Sequence, residues 1–456
     1  MFLVITIFLI TIIIYSVDVN LFDDVIENIK LRQYGEPIGN DGLINNEYFA
    51  ISLSNDNPKK NTKGINAAIE YAFKHNIEYI KLQNGVYIVD GQEKNNNINE
   101  GNKPKGIILK SNITLDLNGS TIIQERNGYK NYANISVTNV ENVTIMNGTL
   151  KGDKDEHDYS TIQSSHEWGF GIDIRSSKNI HVKNLEITDM TGDGIFLMSY
   201  FNTENITDNV VISNCNIHDC RRQGISIIHA KNVTINNNEI WNIEGTAPGL
   251  AIDIEPEDAS QSIENVMIKG NKLYNGIAMQ RKSKNITIEE NEIFNSEIKS
   301  YQIDDNIKII GNTLKKTGIN MRLYTQNGAK VKIEKNIIED ARIYVVNIDN
   351  LNINSNNTND SIVVVSSSGA IYNNKIESVE EKDYGICTTV LQNDKNYILY
   401  EVNNKINDEY KNKVLNYNSY CIEISRDSIK MLEYLSIFLE EKENGWCWSN
   451  RFDVSI

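Results

Sequence analysis

One repeated pattern constrains the fold of this chain more than any other feature of its sequence. The segments "NVTINNNEI", "NVMIKGNKL", "NITIEENEI", "NIKIIGNTL" and "NLNINSNNT" follow or approach the form N-[apolar]-x-[apolar]-x-x-N-x-[apolar]; they begin at Asn232, Asn265, Asn285, Asn306 and Asn350. Alternation of apolar and polar residues is typical of a β-strand with one buried face. The second Asn tolerates left-handed backbone angles, which suits a turn into another short strand.

The spacing of that second Asn indicates stacked coils. Asn238, Asn271, Asn291, Asn312, Asn336, Asn356 and Asn374 follow one another at separations of 33, 20, 21, 24, 20 and 18 residues. A unit of about 20 residues cannot bury its apolar face alone, so the units must stack, about 4.8 Å apart. The amides of these Asn residues are then placed to bond from coil to coil.

These residues resemble the parallel β-helix repeats and asparagine ladder of the pectate-lyase-like superfamily, over roughly residues 60 to 395. The resemblance implies an all-β, single-stranded, right-handed parallel β-helix. The superfamily includes lyases, hydrolases, epimerases and non-catalytic proteins, so function has to be argued from a site. Neither the polygalacturonase nor the pectate-lyase motifs occur in this sequence, and no residue roles are carried over from those families.

Helical patterns flank the repeats. Between Thr62 and His75, apolar residues recur at helical spacing (Ile65, Ala68, Ile69, Ala72, Phe73), similar to the helix that plugs the first coil of tailspike-like members. A second pattern, from Ser425 to Lys442, predicts a helical cap on the last coil. The predicted organisation is a signal peptide or membrane anchor (1–16), a lead-in (17–60), the β-helix (61–395) and a C-terminal cap (396–456).

Composition limits the partners of the chain. Residues 2–14, "FLVITIFLITIII", are shorter than the roughly 20 residues of a membrane-spanning helix and match a secretory signal better. We therefore expect a secreted or cell-surface protein, with membrane contact only if this segment remains as an anchor. A net charge of −16 argues against a nucleic-acid partner. Five cysteines are too few for a disulfide framework and leave the redox compartment open.

Coil length indicates where a site lies. The strand-start positions Asn112, Asn142, Asn179, Asn209, Asn232 and Asn265 are separated by 30, 37, 30, 23 and 33 residues, against about 20 later in the chain. Extra loops therefore cluster on the coils before Asn265. Long loops on a regular scaffold usually carry binding, although simple drift in loop length is the alternative.

A further strand recurs in these coils as "GIDIR", "GIFLM", "GISII", "AIDIE", "GIAMQ" and "GINMR". Its Ile residues alternate inward, so the residues between them are predicted to face outward. This places Asp253 and Glu255 together on a solvent-facing strand, with Cβ atoms about 6.6 Å apart at a rise of about 3.3 Å per residue, within reach of the separation that inverting glycosidases use. One carboxyl would protonate the leaving oxygen and the other would activate water.

Other charged residues are predicted on the same groove. Asp193, Arg222 and Asp253 would step along it on consecutive coils, with Asp193 and Asp253 about 9.6 Å apart. The adjacent Arg221 and Arg222 are suited to a uronate or sulfate group, and the loop "HEWGFG" adds an aromatic ring for a sugar. The predicted catalytic residues are Asp253, Glu255, Asp193 and Arg222, and the predicted substrate-binding residues are Asp173, Arg175, Arg221, His218, His229 and Trp168. The alternative is that outward positions on any β-helix are polar and that the carboxylates coincide by chance.

Three functions remain open. The first is an exported polysaccharide-degrading enzyme, an inverting glycoside hydrolase. The second is a polysaccharide lyase or uronate epimerase, in which Arg222 would neutralise the substrate carboxylate. The third is a non-catalytic surface adhesin or spike whose groove only binds glycan. No cofactor is expected; the acidic loop "GDKDEHD" from Gly152 offers oxygen ligands for Ca²⁺, with a flexible loop as the alternative.

Overall fold

The structure is a computed structural model that describes residues 43–44, 48–51, 58–93, 103–104, 106–161, 165–200, 205–303, 305–323, 328–377, 385–389, 399–402 and 404–406. The predicted signal or anchor segment (1–16) and the predicted C-terminal helix (Ser425–Lys442) lie outside these residues. Within them the chain forms the predicted right-handed parallel β-helix, and a complete coil contributes one strand to each of three stacks.

The first stack is built from the repeated N-[apolar]-x-[apolar] segments. Along one such strand, Val233 and Ile235 are buried while Thr234 is partly exposed, as the alternating pattern predicts. The strands are Tyr79–Leu82, Thr114–Asp116, Glu141–Lys151, Lys178–Thr188, Thr207–Ser213, Ala230–Asn236, Ile263–Lys269, Ser283–Glu289, Asp305–Ile310, Lys330–Glu334, Asn350–Asn354, Gly369–Tyr372 and Leu399–Val402.

The second stack follows after a corner. Its strands are Val86–Val89, Thr121–Gln124, Asn216–His218, Glu239–Trp241, Lys272–Leu273, Glu292–Phe294, Thr313–Lys315, Ile337–Glu339, Asn357–Thr358, Lys375–Ile376 and Lys405–Ile406. The long strands Glu141–Lys151 and Lys178–Thr188 run through the corner and join the first two stacks into one sheet. At the ladder position these strands carry Gly148 and Leu185 in place of Asn, while the preceding Asn147 and Asn184 keep the left-handed backbone of the corner, at φ 63° and 54°.

The predicted asparagine ladder occupies that corner. From Asn238 to Asn404, each Nδ2 donates to the Oδ1 of the next ladder Asn at 2.9–3.0 Å. Most of these side chains are fully buried, so the bonds satisfy amides that would otherwise be unpaired in the core. At the N-terminal end of the ladder, Asn238 Oδ1 accepts from the backbone N–H of Cys215.

A second, exposed ladder runs along the strand starts and was not predicted. Asn142 donates to Asn112, Asn179 to Asn142 and Asn209 to Asn179, and a later run links Asn232, Asn265, Asn285 and Asn306, all at 2.8–2.9 Å. These residues have φ between 54° and 62°, the left-handed region that Asn tolerates better than most residues. At several of these positions the Asn begins an N-x-Thr triplet, and its role in the structure is to adopt the left-handed backbone and to bond the Asn of the next coil.

The third stack forms a separate sheet of 12 strands. They are Ile107–Ile108, Asn131–Thr138, Trp168–Arg175, Asp193–Met198, Gln223–Ile227, Leu250–Ile254, Ile277–Met279, Ile298–Ser300, Ile319–Arg322, Ile343–Val346, Ile362–Val365 and Ile386–Thr389. Their register aligns Asp173, Phe196, Ser226, Asp253 and Ala278 in one outward column, as predicted. A Cβ on Gly224 would lie 2.6 Å from the carbonyl oxygen of Ala251, which explains the glycine at the start of this strand.

One helix, α1 (Pro58–Lys74), packs against the first coil. Its buried apolar side chains are Ile65, Ala68, Ile69 and Ala72, as predicted. The prediction that Phe73 joins them is wrong: this ring is 43% exposed and lies under the Lys110 ammonium. Asn66 donates to the carbonyl of Gly106 and accepts from the N–H of Ile108. The helix thereby pairs backbone groups at the first strand of the third stack, where no earlier coil can do so.

Short pairs complete the N-terminal region. Leu43–Ile44 pairs antiparallel with Tyr48–Ile51, which continues the first stack by pairing in parallel with Tyr79–Leu82. Gln92–Glu93 and Lys103–Pro104 form a separate antiparallel pair. The main apolar core runs through the coils from α1 to Ile386, and a smaller apolar cluster around Phe170 and Phe196 is separate from it. No helix in the part of the chain that the structure describes has the length and apolar character needed to cross a membrane.

Candidate active site

Charged and polar side chains gather on the outer face of the third stack, where Asp193–Met198, Gln223–Ile227 and Leu250–Ile254 lie side by side. We call this group the Arg222 cluster. Its members are Glu167, Asp193, Arg222, Gln223, Ser226, Asp253 and Glu255. It lies on the coils before Asn265, which are longer than the later ones.

Arg222 is the centre of the cluster. Its Nη1 lies 3.2 Å from Asp193 Oδ2, its Nη2 lies 3.6 Å from Glu255 Oε2, and its Nε lies 3.7 Å from Glu167 Oε2. Burial opposes the charged form, but the surrounding carboxylates outweigh it and raise the pKa of Arg222. The guanidinium is therefore a permanent positive charge shared among several carboxylates.

Asp193 is fully buried beneath this guanidinium. The Ser226 hydroxyl donates to its Oδ2 at 2.7 Å. Burial raises the pKa of Asp193 to about 7, even though Arg222 and the Ser226 hydrogen bond both favour the ionised form. The carboxyl group can consequently change its protonation near neutral pH.

Asp253 is the most perturbed carboxyl group of the cluster. Burial and the nearby Glu255 carboxylate raise its pKa to about 8, against the lowering effects of Gln223 and Arg222. Gln223 Nε2 donates to its Oδ2 at 2.8 Å. The prediction that Asp253 faces solvent is wrong: the side chain points away from the interior of the β-helix but has no exposed surface.

Glu255, the first residue after the strand Leu250–Ile254, does reach solvent. Its side chain is 26% exposed, and its Oε1 accepts a hydrogen bond from Gln280 Nε2 at 2.8 Å. The end of this strand therefore presents a buried carboxyl group and an accessible one. The alternation of the strand predicted that they share a face, but it could not predict their different burial.

Three buried polar atoms of the cluster have no hydrogen-bond partner among the described residues: Asp253 Oδ1, Gln223 Oε1 and Arg222 Nε. Buried polar groups are nearly always paired in folded proteins. Three such atoms in adjoining residues support the cluster as the candidate site for a polar ligand.

Asp173 and Arg175 lie one coil towards the N-terminus. Arg175 Nε donates to both carboxylate oxygens of Asp173, at 2.8 and 2.9 Å, and its guanidinium lies over the rings of Phe196 and Tyr200. Burial raises the pKa of Asp173 despite this ion pair. Trp168 packs edge-on against Phe196, 6.2 Å away, and remains partly exposed. Substrate contact by these residues stays a prediction.

Arg221 points away from Arg222. Its Nη1 donates to the carbonyl of Ser165 at 2.8 Å and its guanidinium lies over Tyr159. It thereby ties the loop before Trp168 to the coil. His229 hydrogen-bonds the backbone of Ser262, also holding a loop.

The expectation that His218 flanks the groove is wrong, because its strand belongs to the second stack. Its ring stacks on Trp241 at 4.3 Å and contacts Asp219 at 2.6 Å. It therefore projects from a different face of the β-helix than Asp253.

The acidic loop from Gly152 is largely engaged within the protein. Asp153 Oδ2 lies 2.8 Å from His157 Nδ1 and accepts from the N–H of Asn127, and the other ring nitrogen of His157 lies 3.0 Å from His166. Within the described ranges, no group of three His, Cys, Asp or Glu residues has an arrangement that could hold a metal ion. Binding of Ca²⁺ gains no support from this loop.

Two residues of the cluster, Glu167 and Gln223, were missed by sequence reasoning, whereas Ser226 and Gln280 were predicted on the outward face but were given no role. The register gives the signal that could have found Gln223, since it pairs with Asp193 on the preceding coil. Glu167 gives no such signal, because it comes from a loop whose path is not repetitive.

Comparisons with known proteins agree on the fold. A family model described as "Right handed beta helix region" matches residues 84–252. The SPbeta prophage-derived uncharacterized protein YorA of Bacillus subtilis (strain 168) is 31% identical over 223 residues, 46% of this chain and 38% of that protein. Uncharacterized protein YclG of the same strain is 30% identical over 45% of this chain and 37% of its own length. The chain thus spans less than two fifths of either relative.

Among solved structures, the N-terminal fragment of the bacteriophage phi29 gene product 12 is 15% identical. The match covers 88% of this chain and 76% of that one, with a TM-score of 0.50. At this identity the likeness shows the right-handed β-helix fold alone.

Proposed function

We propose that the chain is a polysaccharide-degrading glycoside hydrolase and that the Arg222 cluster is its active site. The observation that carries the proposal is that a buried carboxyl group of raised pKa, Asp253, lies beside the accessible carboxylate of Glu255 at the end of one strand. Glycoside hydrolysis needs one carboxylic acid to protonate the leaving oxygen and a second carboxylate to activate water or to attack the sugar.

The two residues take complementary roles. With a pKa of about 8, Asp253 keeps its proton at neutral pH and can act as the acid. Glu255 is a hydrogen-bond partner of this carboxyl group, so the proton becomes available to a substrate when Glu255 moves away. Glu255 faces solvent and is the carboxylate placed to activate water. Their Cβ atoms are about 6.6 Å apart from the strand rise, but the two carboxyl groups share a hydrogen bond in this structure. The proposal therefore requires Glu255 to move away from Asp253 to reach the roughly 6.5–9.5 Å of inverting enzymes.

Arg222 and Asp193 support this pair. The Arg222 guanidinium contacts both the buried Asp193 and the accessible Glu255, and so it links these two carboxyl groups. Because Asp193 is fully buried, its role in this proposal is to hold the guanidinium. Loss of Asp193 should then displace Glu255 indirectly.

The burial of Asp253 sets a requirement. The side chain has no exposed surface, so a substrate reaches Oδ1 only when the side chains around it move. Glu255 and its partner Gln280 are the accessible side chains over this strand. The proposal therefore includes their displacement when a glycan binds.

The charge of the cluster disfavours lyase or epimerase chemistry on uronates. Those reactions need a cation free to neutralise the substrate carboxylate. Arg222 already lies against Glu167, Asp193 and Glu255. A uronate would thus meet more negative than positive charge, and we favour a neutral substrate.

A polysaccharide substrate together with the apolar segment 2–14 supports export to the medium or the cell surface. In the binding-only alternative, the same groove would hold a glycan without cleaving it. Product formation separates the two.

The test incubates the purified chain with neutral and acidic polysaccharides and follows new reducing ends together with the absorbance of unsaturated uronates. Asp253→Asn and Glu255→Gln should each lower the rate by at least about a hundredfold, in the range lost with an acid or base catalyst. Glu264→Gln, which removes a carboxylate on the first stack, is the matched control and should retain the wild-type rate.

Reducing ends without unsaturated product, lost in both variants, would support the hydrolase. Proton NMR of the first product should then show inversion of the anomeric carbon. Unsaturated product would replace the proposal with lyase chemistry. Absence of product from every polymer would favour the alternative in which the groove binds glycan without cleaving it.

A further inference from the structure

A cavity of about 640 Å³ opens on the second stack, on a different face from the Arg222 cluster. It is lined by two aromatic side chains on consecutive coils, Trp241 and Tyr274, and by Ile243, Glu239 and Glu244. We propose that this cavity is a second saccharide-binding site, specific for an uncharged sugar. The inference does not depend on the hydrolase proposal.

Each of the two aromatic rings is stacked on a ring of a neighbouring coil. Trp241 stacks on His218 of the preceding coil at 4.3 Å and 9°, and Tyr274 stacks on Phe294 of the following coil at 4.9 Å and 16°. The Lys272 ammonium also lies over the Tyr274 ring, 5.1 Å from its centre, so Trp241 is the ring that offers a face to a ligand. Within the described residues, Trp241 and Tyr274 make no ring contact with each other.

The indole is also fixed in orientation. Trp241 Nε1 donates to Asn216 Oδ1 at 2.9 Å, so the polar edge of the ring is satisfied and its apolar face is what the cavity presents. Aromatic faces of this kind suit the C–H face of a sugar ring, and few polar groups around them give orientation.

The wall of the cavity is a loop held in place by one side chain. Asn275 accepts from the N–H of Ile243 and donates to the carbonyls of Ile243 and Gly249, so it ties both ends of residues 243–249. The site is therefore preformed, which lowers the entropy lost on binding.

The charges select an uncharged ligand. Glu239 is neutralised by Lys272 at 2.9 Å, whereas Glu244 forms no ion pair with another described residue. Carboxylates accept hydrogen bonds from sugar hydroxyl groups but repel a uronate or sulfate. The same lining thus recognises neutral glycans and rejects acidic ones.

The test measures binding by isothermal titration calorimetry to maltohexaose, cellohexaose, xylohexaose and mannohexaose, with hexagalacturonate as the charged comparison. All titrations use the Asp253→Asn background to prevent cleavage. At least one neutral oligosaccharide should bind, and adding Trp241→Ala should weaken it at least about tenfold, as loss of a central aromatic anchor does. Phe73→Ala, an exposed aromatic on α1, is the control and should leave binding unchanged.

Glu244→Arg provides a second variant with little risk to folding, because the residue is exposed and the long cation would occupy the cavity. It should weaken binding as strongly as Trp241→Ala. Absence of binding to every neutral oligosaccharide, tighter binding of hexagalacturonate, or unchanged binding in both variants would overturn the proposal. If the hydrolase proposal fails, the binding result for the cavity still stands, because Trp241 and Glu244 do not belong to the Arg222 cluster.

Discussion

At the scale of single residues, the buried carboxyl groups link folding to pH. Burial and Glu255 raise the pKa of Asp253 from 3.8 to about 8, so between these values the folded chain holds a proton that the unfolded chain has released. Stability falls with rising pH wherever the folded state binds more protons. Burial raises the pKa of Asp193 as well, to about 7, which adds to the same trend.

We therefore expect the free energy of unfolding of the wild type to decrease from pH 5 to pH 9. Asp253→Asn should remove its part of that decrease, on the order of 5 kcal/mol at most, and be more stable than the wild type at pH 9. Urea denaturation at pH 5, 7 and 9 measures the difference. Glu264→Gln also removes one negative charge but should keep the wild-type slope; an equal slope in Asp253→Asn would show that Asp253 is ionised in the folded protein.

The residues of the site show what the sequence could and could not predict. Strand periodicity correctly placed Asp253 and Glu255 on one outward face and aligned Asp253 with Ser226. It could not predict the burial of Asp253 or the approach of Glu167, because both depend on side chains from other coils and loops. His218 was misplaced since residue separation alone does not say which stack a short strand joins.

At the scale of elements, the two asparagine ladders differ in burial and should differ in energy. Asn312 accepts from the backbone N–H of Asn291 and donates to the carbonyl of Ile288, and its side chain has no exposed surface. Asn285 in the outer ladder makes bonds of the same length but is exposed, so water can replace them. The inner ladder was predictable from the repeat, whereas the outer one needs side-chain directions that the pattern does not contain.

Asn312→Ala should lower the free energy of unfolding by about 2–4 kcal/mol, because it leaves a buried N–H and a buried carbonyl unpaired. Asn285→Gly, which keeps the left-handed backbone at φ 56° without strain, should cost less than about 1 kcal/mol. Denaturant titrations followed by circular dichroism compare them. Equal losses would mean that the exposed ladder contributes as much as the buried one.

At the scale of the whole molecule, stacking separates functions onto faces. The Arg222 cluster lies on the third stack and the aromatic cavity on the second, while Lys–Glu pairs such as Lys269–Glu289 link neighbouring coils on the first. Both candidate sites carry carboxylates that are not fully neutralised. The net charge of −16 adds a long-range field of the same sign.

This field should make the discrimination between glycans depend on salt. A carboxylated polymer such as polygalacturonate should bind more weakly than a neutral polymer at about 20 mM salt, and the gap should narrow at about 200 mM, where the screening length is below about 10 Å. Binding to the neutral polymer should change little over that range. Retention of each polymer by the immobilised chain at both salt concentrations measures this, with Glu264→Lys as a control for net charge far from either site. Tighter binding of the carboxylated polymer at low salt would mean that a local cation, with Arg222 the first to examine, outweighs the surrounding carboxylates, and would reopen uronate chemistry at the cluster.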